Sequence, residues 1–327
     1  MQKAAPTMRQ NQFTGIDLLK FILSIFVVGI HVAPIPVGAW PWAEKVNFWL
    51  QMYLFRLAVP FYFTASGFLL FRKLDPEHPD GAVVRDRCFR LLRLLGLWTV
   101  LLVLGEKGHL WYLKSVVVAL ALAWLCTSHR MRPGVLAVLA AVLYAVGLLG
   151  DSYYGLLDGI RTVEIVDRFI LEYDSVFQTT RNGLFMGLPF VLMGAYFAWN
   201  RPRLELKGAA MGFGLSMVLL AGEVWFLEFR GLCKGYNMYA FLMPATFFLF
   251  ALSLKLRLPY IRGNTLRVMG MLIYLSHIMC RAVLMRMFGE VEKVLFPAVV
   301  AVSVLLSWTV AHLSHREKMS WLRWLYQ

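Results

Sequence analysis

Apolar residues fall into ten long runs separated by short polar stretches, at 16–37, 47–71, 92–104, 110–126, 134–149, 184–199, 208–227, 237–254, 268–288 and 294–312. Runs of about 17–25 apolar residues have the length of a bilayer-crossing helix. The pattern predicts an all-α integral membrane protein, one domain over 1–327 built as a bundle of about ten transmembrane helices. The run at 92–104 is short and begins inside a basic stretch, so its inner end is left open. Between the fifth and sixth runs the segment TVEIVDRFILEY places apolar residues at helical spacing within an acidic, aromatic connection. It predicts a surface helix over the outer mouth of the bundle. No internal repeat is visible.

Composition sharpens this picture. The chain is 59% hydrophobic and 16% charged, against about 45–50% and about 25% in soluble proteins. That leaves little room for a soluble domain and makes the lipid bilayer the first partner. The balance of 33 Lys and Arg against 19 Asp and Glu, a net charge of +14, could suggest nucleic acid. The basic residues instead crowd into alternate loops, among them Arg72, Lys73, Arg85, Arg87, Arg90, Arg93, Arg201, Arg203 and Lys207. The positive-inside rule then puts both termini in the cytoplasm, and no nucleic-acid partner is expected. Residues 1–12 read as a cytoplasmic tail, and 313–327 as a basic, aromatic tail lying in the inner interface. The first run has spanning length and no small-residue cleavage pattern, so it reads as a helix rather than a cleaved leader. Cys88, Cys126, Cys233 and Cys280 are scattered, without metal-ligand spacing, and no metal site is expected.

Polar residues inside the runs are the candidates for chemistry, because a charge or imidazole in a spanning helix is costly. The first run carries Asp17, Lys20 and His31. On a helix Lys20 and His31 differ in direction by roughly 20° and are about 16 Å apart along the axis. One face therefore offers a cation near one leaflet and an imidazole near the other, with Asp17 placed to pair with Lys20. In the second run Arg56 precedes Pro60, and Ala65, Ser66 and Gly67 would let another helix approach closely. Arg56 either faces a wet cavity or snorkels to the interface. Arg87, Arg90 and Arg93 recur every three residues in RDRCFRLLRLL, which suits an anionic head group, whether cofactor phosphate or lipid.

The remaining candidates are weaker. His109, Trp111 and Tyr112 open the fourth run and fit an aromatic belt, with Lys114 deeper. Arg181 and Asn182 precede the sixth run and could bind a sugar-like ligand, or Asn182 could simply start a helix. Glu223 in the seventh run is expected to be neutral or paired with a cation, and the ninth holds Tyr274 and His277. GxSxG, P-loop and dinucleotide fingerprints are absent.

The phrases IDLLKFILSIFVVGIH, FRLAVPFYFTASGFLL, RCFRLLRLL, HLWYL, RNGLFMGLPFVLMG and IYLSH, in this order, resemble bacterial acyltransferase family 3 over about 13–312. The resemblance implies a multi-pass enzyme of the bacterial cytoplasmic membrane. Such an enzyme moves an acyl group, typically acetyl from acetyl-CoA, to a hydroxyl of an extracytoplasmic glycan or a lipid-linked sugar. It implies His31 as general base or transient acyl carrier, with Lys20 where the family more often has Arg. It implies Arg90 and Arg93 at the acyl donor, Arg56 and His277 as further catalytic groups, and Arg181, Asn182, Trp111, Tyr112 and Tyr274 near the acceptor. Members with an appended soluble domain carry it after the last span, so this chain resembles the stand-alone branch. The rival readings are a transporter or flippase for a glycan or anion, and a non-catalytic partner of a polysaccharide synthase.

Overall fold

The structure is a computed structural model that describes residues 13–36, 38–102, 108–256, 263–289 and 292–327. The tail at 1–12, the end of the first apolar run at Val37 and the end of the third at 103–104 lie outside the described residues. The described elements are helical: α1 (Thr14–His31), α2 (Ala43–Met52), α3 (Ala58–Phe71), α4 (Gly81–Leu101), α5 (Trp111–Ser128) and α6 (Pro133–Leu149). They continue with α7 (Glu164–Phe177), α8 (Leu188–Asn200), α9 (Leu206–Arg230), α10 (Leu242–Lys255), α11 (Gly263–Phe288) and α12 (Glu292–Leu313). Among the described residues seven helical stretches are long and apolar enough to cross a membrane, and α6 and α10 are shorter apolar helices. The protein is an all-helical, multi-pass membrane protein.

Three boundaries depart from the sequence pattern. The first run does not continue as helix to 37. It ends at His31, with Val32 extended at φ −136° and ψ 113°, because Pro34 and Pro36 follow and a residue before proline avoids helical geometry. The second run is broken. Tyr53 leaves α2 at φ −117° and ψ −74°, and a 3₁₀ turn over Leu54–Leu57 carries Arg56 before α3 begins. Pro60 has no N–H to offer the Arg56 carbonyl. The third run starts earlier than expected: α4 opens at Gly81, where the Asp80 carboxylate accepts from the Ala82 N–H at 2.8 Å. All four arginines of the basic stretch thus lie on one helix.

Helix α3 is apolar on every side, and such a helix belongs in the interior. All its residues but Val59 and Leu69 are buried. It packs most extensively on α8, and also on α1, α10 and α5. Around this centre α11 lies against α1, α12 against α11, α9 against α10, and α4 against α5. Helices α6, α9 and α12 turn large apolar side chains such as Val138, Val218 and Leu305 outward, as lipid-facing helices do. The expected surface helix is α7. Its Tyr173 and Phe177 rings meet Phe185 at 5.9 and 5.0 Å, and Asp174 pairs with Lys234 at 2.7 Å. It lies beside the Gly183–Gly187 turn, and none of its residues lines the cavity described below.

Three isolated charges find distinct surroundings. Asp17 does not pair with Lys20. Its carboxylate takes two bonds from Arg267 of α11, at 2.8 and 2.9 Å, clamping α1 to α11 at one end of the bundle. Glu223 has no cation partner among the described residues. It accepts from the Ala240 and Phe241 N–H groups at 2.6 and 2.9 Å and from the Tyr153 hydroxyl at 2.7 Å. It thereby caps the start of α10, where unsatisfied N–H groups favour an anion. Lys114 is exposed on the outside of α5.

Candidate active site

A cavity of about 1090 Å³ runs between α1, α3, α4, α5 and α11, slightly larger than the usual small-molecule site of about 300–1,000 Å³. Its two ends differ in chemistry. One end is basic, walled by Lys20, Arg72, Lys73, Arg87, Arg90 and Arg267. Asp17 neutralises Arg267, whereas Lys20, Arg87 and Arg90 have no ion-pair partner among the described residues. Asp86 also reaches this wall and pairs with Arg85; the guanidinium groups outnumber it, and repeated guanidiniums suit phosphate. Arg93 stands elsewhere: it is exposed, and its guanidinium stacks over Trp324 at 4.7 Å. The three-residue step from Arg90 carries it round α4 and away from the cavity. Arg87, one step the other way, takes the place on the wall.

Tyrosines line the middle. Tyr62 donates to the Lys20 carbonyl, and the Lys20 ammonium lies 5.8 Å from the centre of the same ring. Tyr112 shares a hydrogen bond with Ser66 at 3.1 Å and meets Tyr62 and Tyr274 at ring distances of 6.0 and 5.7 Å. Tyr274 donates to the His109 carbonyl at 2.7 Å. The hydroxyls are thereby held, leaving ring edges and faces to line the cavity here.

The far end gathers three imidazoles from three elements. His31 ends α1, His109 sits in the Gly108–Leu110 turn before α5, and His277 lies within α11. Their ring centres are 6.3 Å (His31–His109), 5.3 Å (His31–His277) and 5.1 Å (His109–His277) apart. His31 and His109 line the cavity, while His277 is fully buried behind them. The Nδ1 of His277 faces the carbonyls of Ile273 and Tyr274 at 3.1 and 2.8 Å. Carbonyls only accept, so that nitrogen carries the proton, and Nε2, which has no partner, presents a lone pair. Among the described residues no group of His, Cys, Asp and Glu has metal-holding geometry.

Two arginines complete this end. Arg56 and Arg181 both donate to the Asn237 side-chain oxygen, at 2.8 and 3.2 Å. Arg181 also lies 4.7 Å over the Trp111 ring. Asn237 in turn donates through its backbone N–H to Asp151 at 3.2 Å. Asn182 does not reach the cavity. Its side chain accepts from the N–H groups of Leu184 and Phe185 at 2.9 and 3.0 Å, starting the helical turn that leads into α8. Of the residues singled out from sequence, Lys20, His31, Arg56, Arg90, Trp111, Tyr112, Arg181 and Tyr274 share one cavity, and Arg93, Asn182 and His277 are not on its wall. Sequence reasoning missed Asn237, Arg267 and Tyr62, and read His109 as part of an aromatic belt. The signal for His109 was its place beside two cavity aromatics, while Asn237 gave no signal at all.

Comparison with known proteins agrees with the resemblance over the first third of the chain. Residues 13–106 match the family described as an acyltransferase domain, which bears out acyltransferase family 3 there. The chain is 28% identical over 274 residues to an amino-acid racemase of Enterococcus faecalis, covering 76% of this chain and 37% of that protein. It is 29% identical over 271 residues to a serine/alanine racemase of Enterococcus gallinarum, covering 74% of this chain and 37% of that protein. The chain therefore spans well under half the length of these curated relatives. No solved structure matches significantly.

Proposed function

We propose that this membrane protein transfers an acyl group, most simply acetyl, from an acyl-CoA at the basic end of the cavity to a hydroxyl at the histidine end. The acceptor is an extracytoplasmic or lipid-linked glycan or a similar surface molecule. The observation that carries the reading is the cavity itself, which holds Lys20, Arg87 and Arg90, without ion-pair partners among the described residues, together with His31, His109 and the tyrosines between them. With the basic end in the cytoplasm of a bacterial cell, as the loop charges imply, the donor's phosphates rest on those cations. The thin pantetheine arm then passes the tyrosines and brings the thioester to His31. His31 takes the proton of the acceptor hydroxyl as its oxygen attacks the thioester carbonyl. The C–S bond breaks, and the thiolate leaves with that proton as free CoA. A transient acyl-His31 would divide the same transfer into two steps. Arg56, at this end of the cavity, supports negative charge that develops there, and His277 packs its ring against those of His31 and His109 at 5.3 and 5.1 Å.

The racemase names belong to proteins of which this chain matches 37% of the length, and racemisation is not carried over. The test is to incubate the purified chain with labelled acetyl-CoA. Free CoA or acyl-protein forms in the wild type. His31→Ala abolishes both while still binding CoA, and full activity in that variant removes His31 from the mechanism. Movement of a glycan without CoA release favours a transporter.

A further inference from the structure

Arg56 and Arg181 line the same end of the cavity and share one neutral acceptor, the Asn237 oxygen, which keeps their guanidinium groups within about 6 Å of each other. Neither has a carboxylate within ion-pair distance among the described residues. The Nε of each is buried and makes no hydrogen bond. Asp151 is engaged by the Asn237 backbone at 3.2 Å and side chain at 3.4 Å, and acts on both arginines through space without touching either. Two half-buried cations held this close repel one another, and a structural role would place a carboxylate between them. Asn237 supplies only the negative end of an amide dipole. It aligns the pair without neutralising it; Arg56 also donates to the Met52 sulfur at 3.0 Å, and both arginines line the cavity.

We infer that Arg56 and Arg181 form a binding subsite for an anionic group on the acceptor, a carboxylate or a phosphate, placed so that a neighbouring hydroxyl meets His31. This rests on the acyl-transfer reading for the hydroxyl and on the arginine pair alone for the charge. Planar forks sharing one hinge match the two oxygens of a carboxylate or two of a phosphate. Trp111 under Arg181 holds that guanidinium flat at 4.7 Å, as cation–π stacking does. The acceptor is then recognised by charge at one point and reacts at another. A neutral sugar of the same shape would leave two buried donors unanswered, which is the stronger basis of discrimination.

The test measures binding rather than turnover. The purified full chain in lipid nanodiscs is titrated with glucuronate, glucose 6-phosphate and glucose, and its melting temperature is followed. The expected result is stabilisation by at least one charged sugar at concentrations ten-fold or more below glucose. Comparing the two charged probes tells carboxylate from phosphate. Arg56→Gln and Arg181→Gln each erase the preference, and Arg56→Lys and Arg181→Lys, which keep the charge, retain part of it and show that the fold tolerates change there. Equal responses to charged and neutral sugars, no response to either charged sugar up to tens of millimolar, or a preference that survives in both Gln variants overturns the proposal. A parallel titration with CoA reports separately on the donor end. Its failure would count against acyl transfer and leave the arginine subsite standing.

Discussion

The crossing of α3 and α8 is close enough to make one methyl group decisive. A Cβ added at Gly194 would lie 2.2 Å from the Thr64 carbonyl oxygen and 2.6 Å from the Phe68 nitrogen, and one at Gly67 would lie 2.3 Å from the Val191 oxygen. Ordinary contact begins near 3.4 Å, so either Gly→Ala change forces the helices apart by about 1 Å. The obstructing atoms are backbone in mid-helix, and no rotamer relieves them. Overpacking costs about 1–3 kcal/mol where side chains can adjust, which puts each single variant at the upper end, about 3 kcal/mol. At about 2–4 °C per kcal/mol, that is a fall of roughly 6–12 °C in melting temperature. The two sites open the same gap. Gly67→Ala with Gly194→Ala should therefore cost clearly less than the sum of the singles, as expected for residues sharing one contact. Tryptophan fluorescence melts of the purified protein in one detergent measure all four forms. A single variant melting within 2 °C of wild type, or a double variant with fully additive loss, refutes the reasoning.

Other expectations follow from the same geometry. Arg87→Ala and Arg90→Ala weaken CoA binding several-fold, whereas Arg93→Ala, whose guanidinium rests on Trp324, leaves it within two-fold by the same titration. Asp17→Ala breaks the two-bond clamp to Arg267, which is itself 42% exposed, and destabilises by about 1–2 kcal/mol, read as a lowered melting temperature. Burial pushes the Asp151 carboxyl up to about 6, against the Asn237 hydrogen bonds and the nearby Arg56. Between about pH 4 and 6 the folded chain therefore keeps a proton that the unfolded chain has released. Stability falls as pH rises through that window and is flat above it. Melts from pH 4 to 8 should show this slope, and Asp151→Asn should remove it.

Helix content and the chemistry of the two cavity ends were legible because both are written in local sequence. Apolar runs report the spans, and a Lys and a His eleven positions apart report one helix face. The close approach at Gly67 was legible too, since small residues inside a span have few other uses. What failed was whatever depends on a distant partner. Asp17 found Arg267, 250 positions away, in preference to Lys20 three positions away. The N–H groups that Glu223 meets at the start of α10 were likewise not marked by composition. The choice between Arg87 and Arg93 depended on the phase of α4 against α5, and a repeat of three cannot reveal which arginine faces inward. Three histidines converge from 78 and 168 positions apart, as their numbers show, and only the fold brings them within ring contact.

Helix α1 runs unbroken from Thr14 to His31, clamped near its start by Arg267 and ended by the prolines beyond it. It therefore works as a gauge. The spacing of about 16 Å between Lys20 and His31 is set by helical rise and does not adapt to what enters the cavity. Under the proposed reaction a donor must be long enough to rest its charge at one mark and its reactive carbon at the other. A clipped thioester keeping the acyl group and sulfur but lacking the phosphate-bearing arm would reach only one of them. Under that reaction the first helix would select the donor by its length and leave the identity of the acyl group to the space around the histidines.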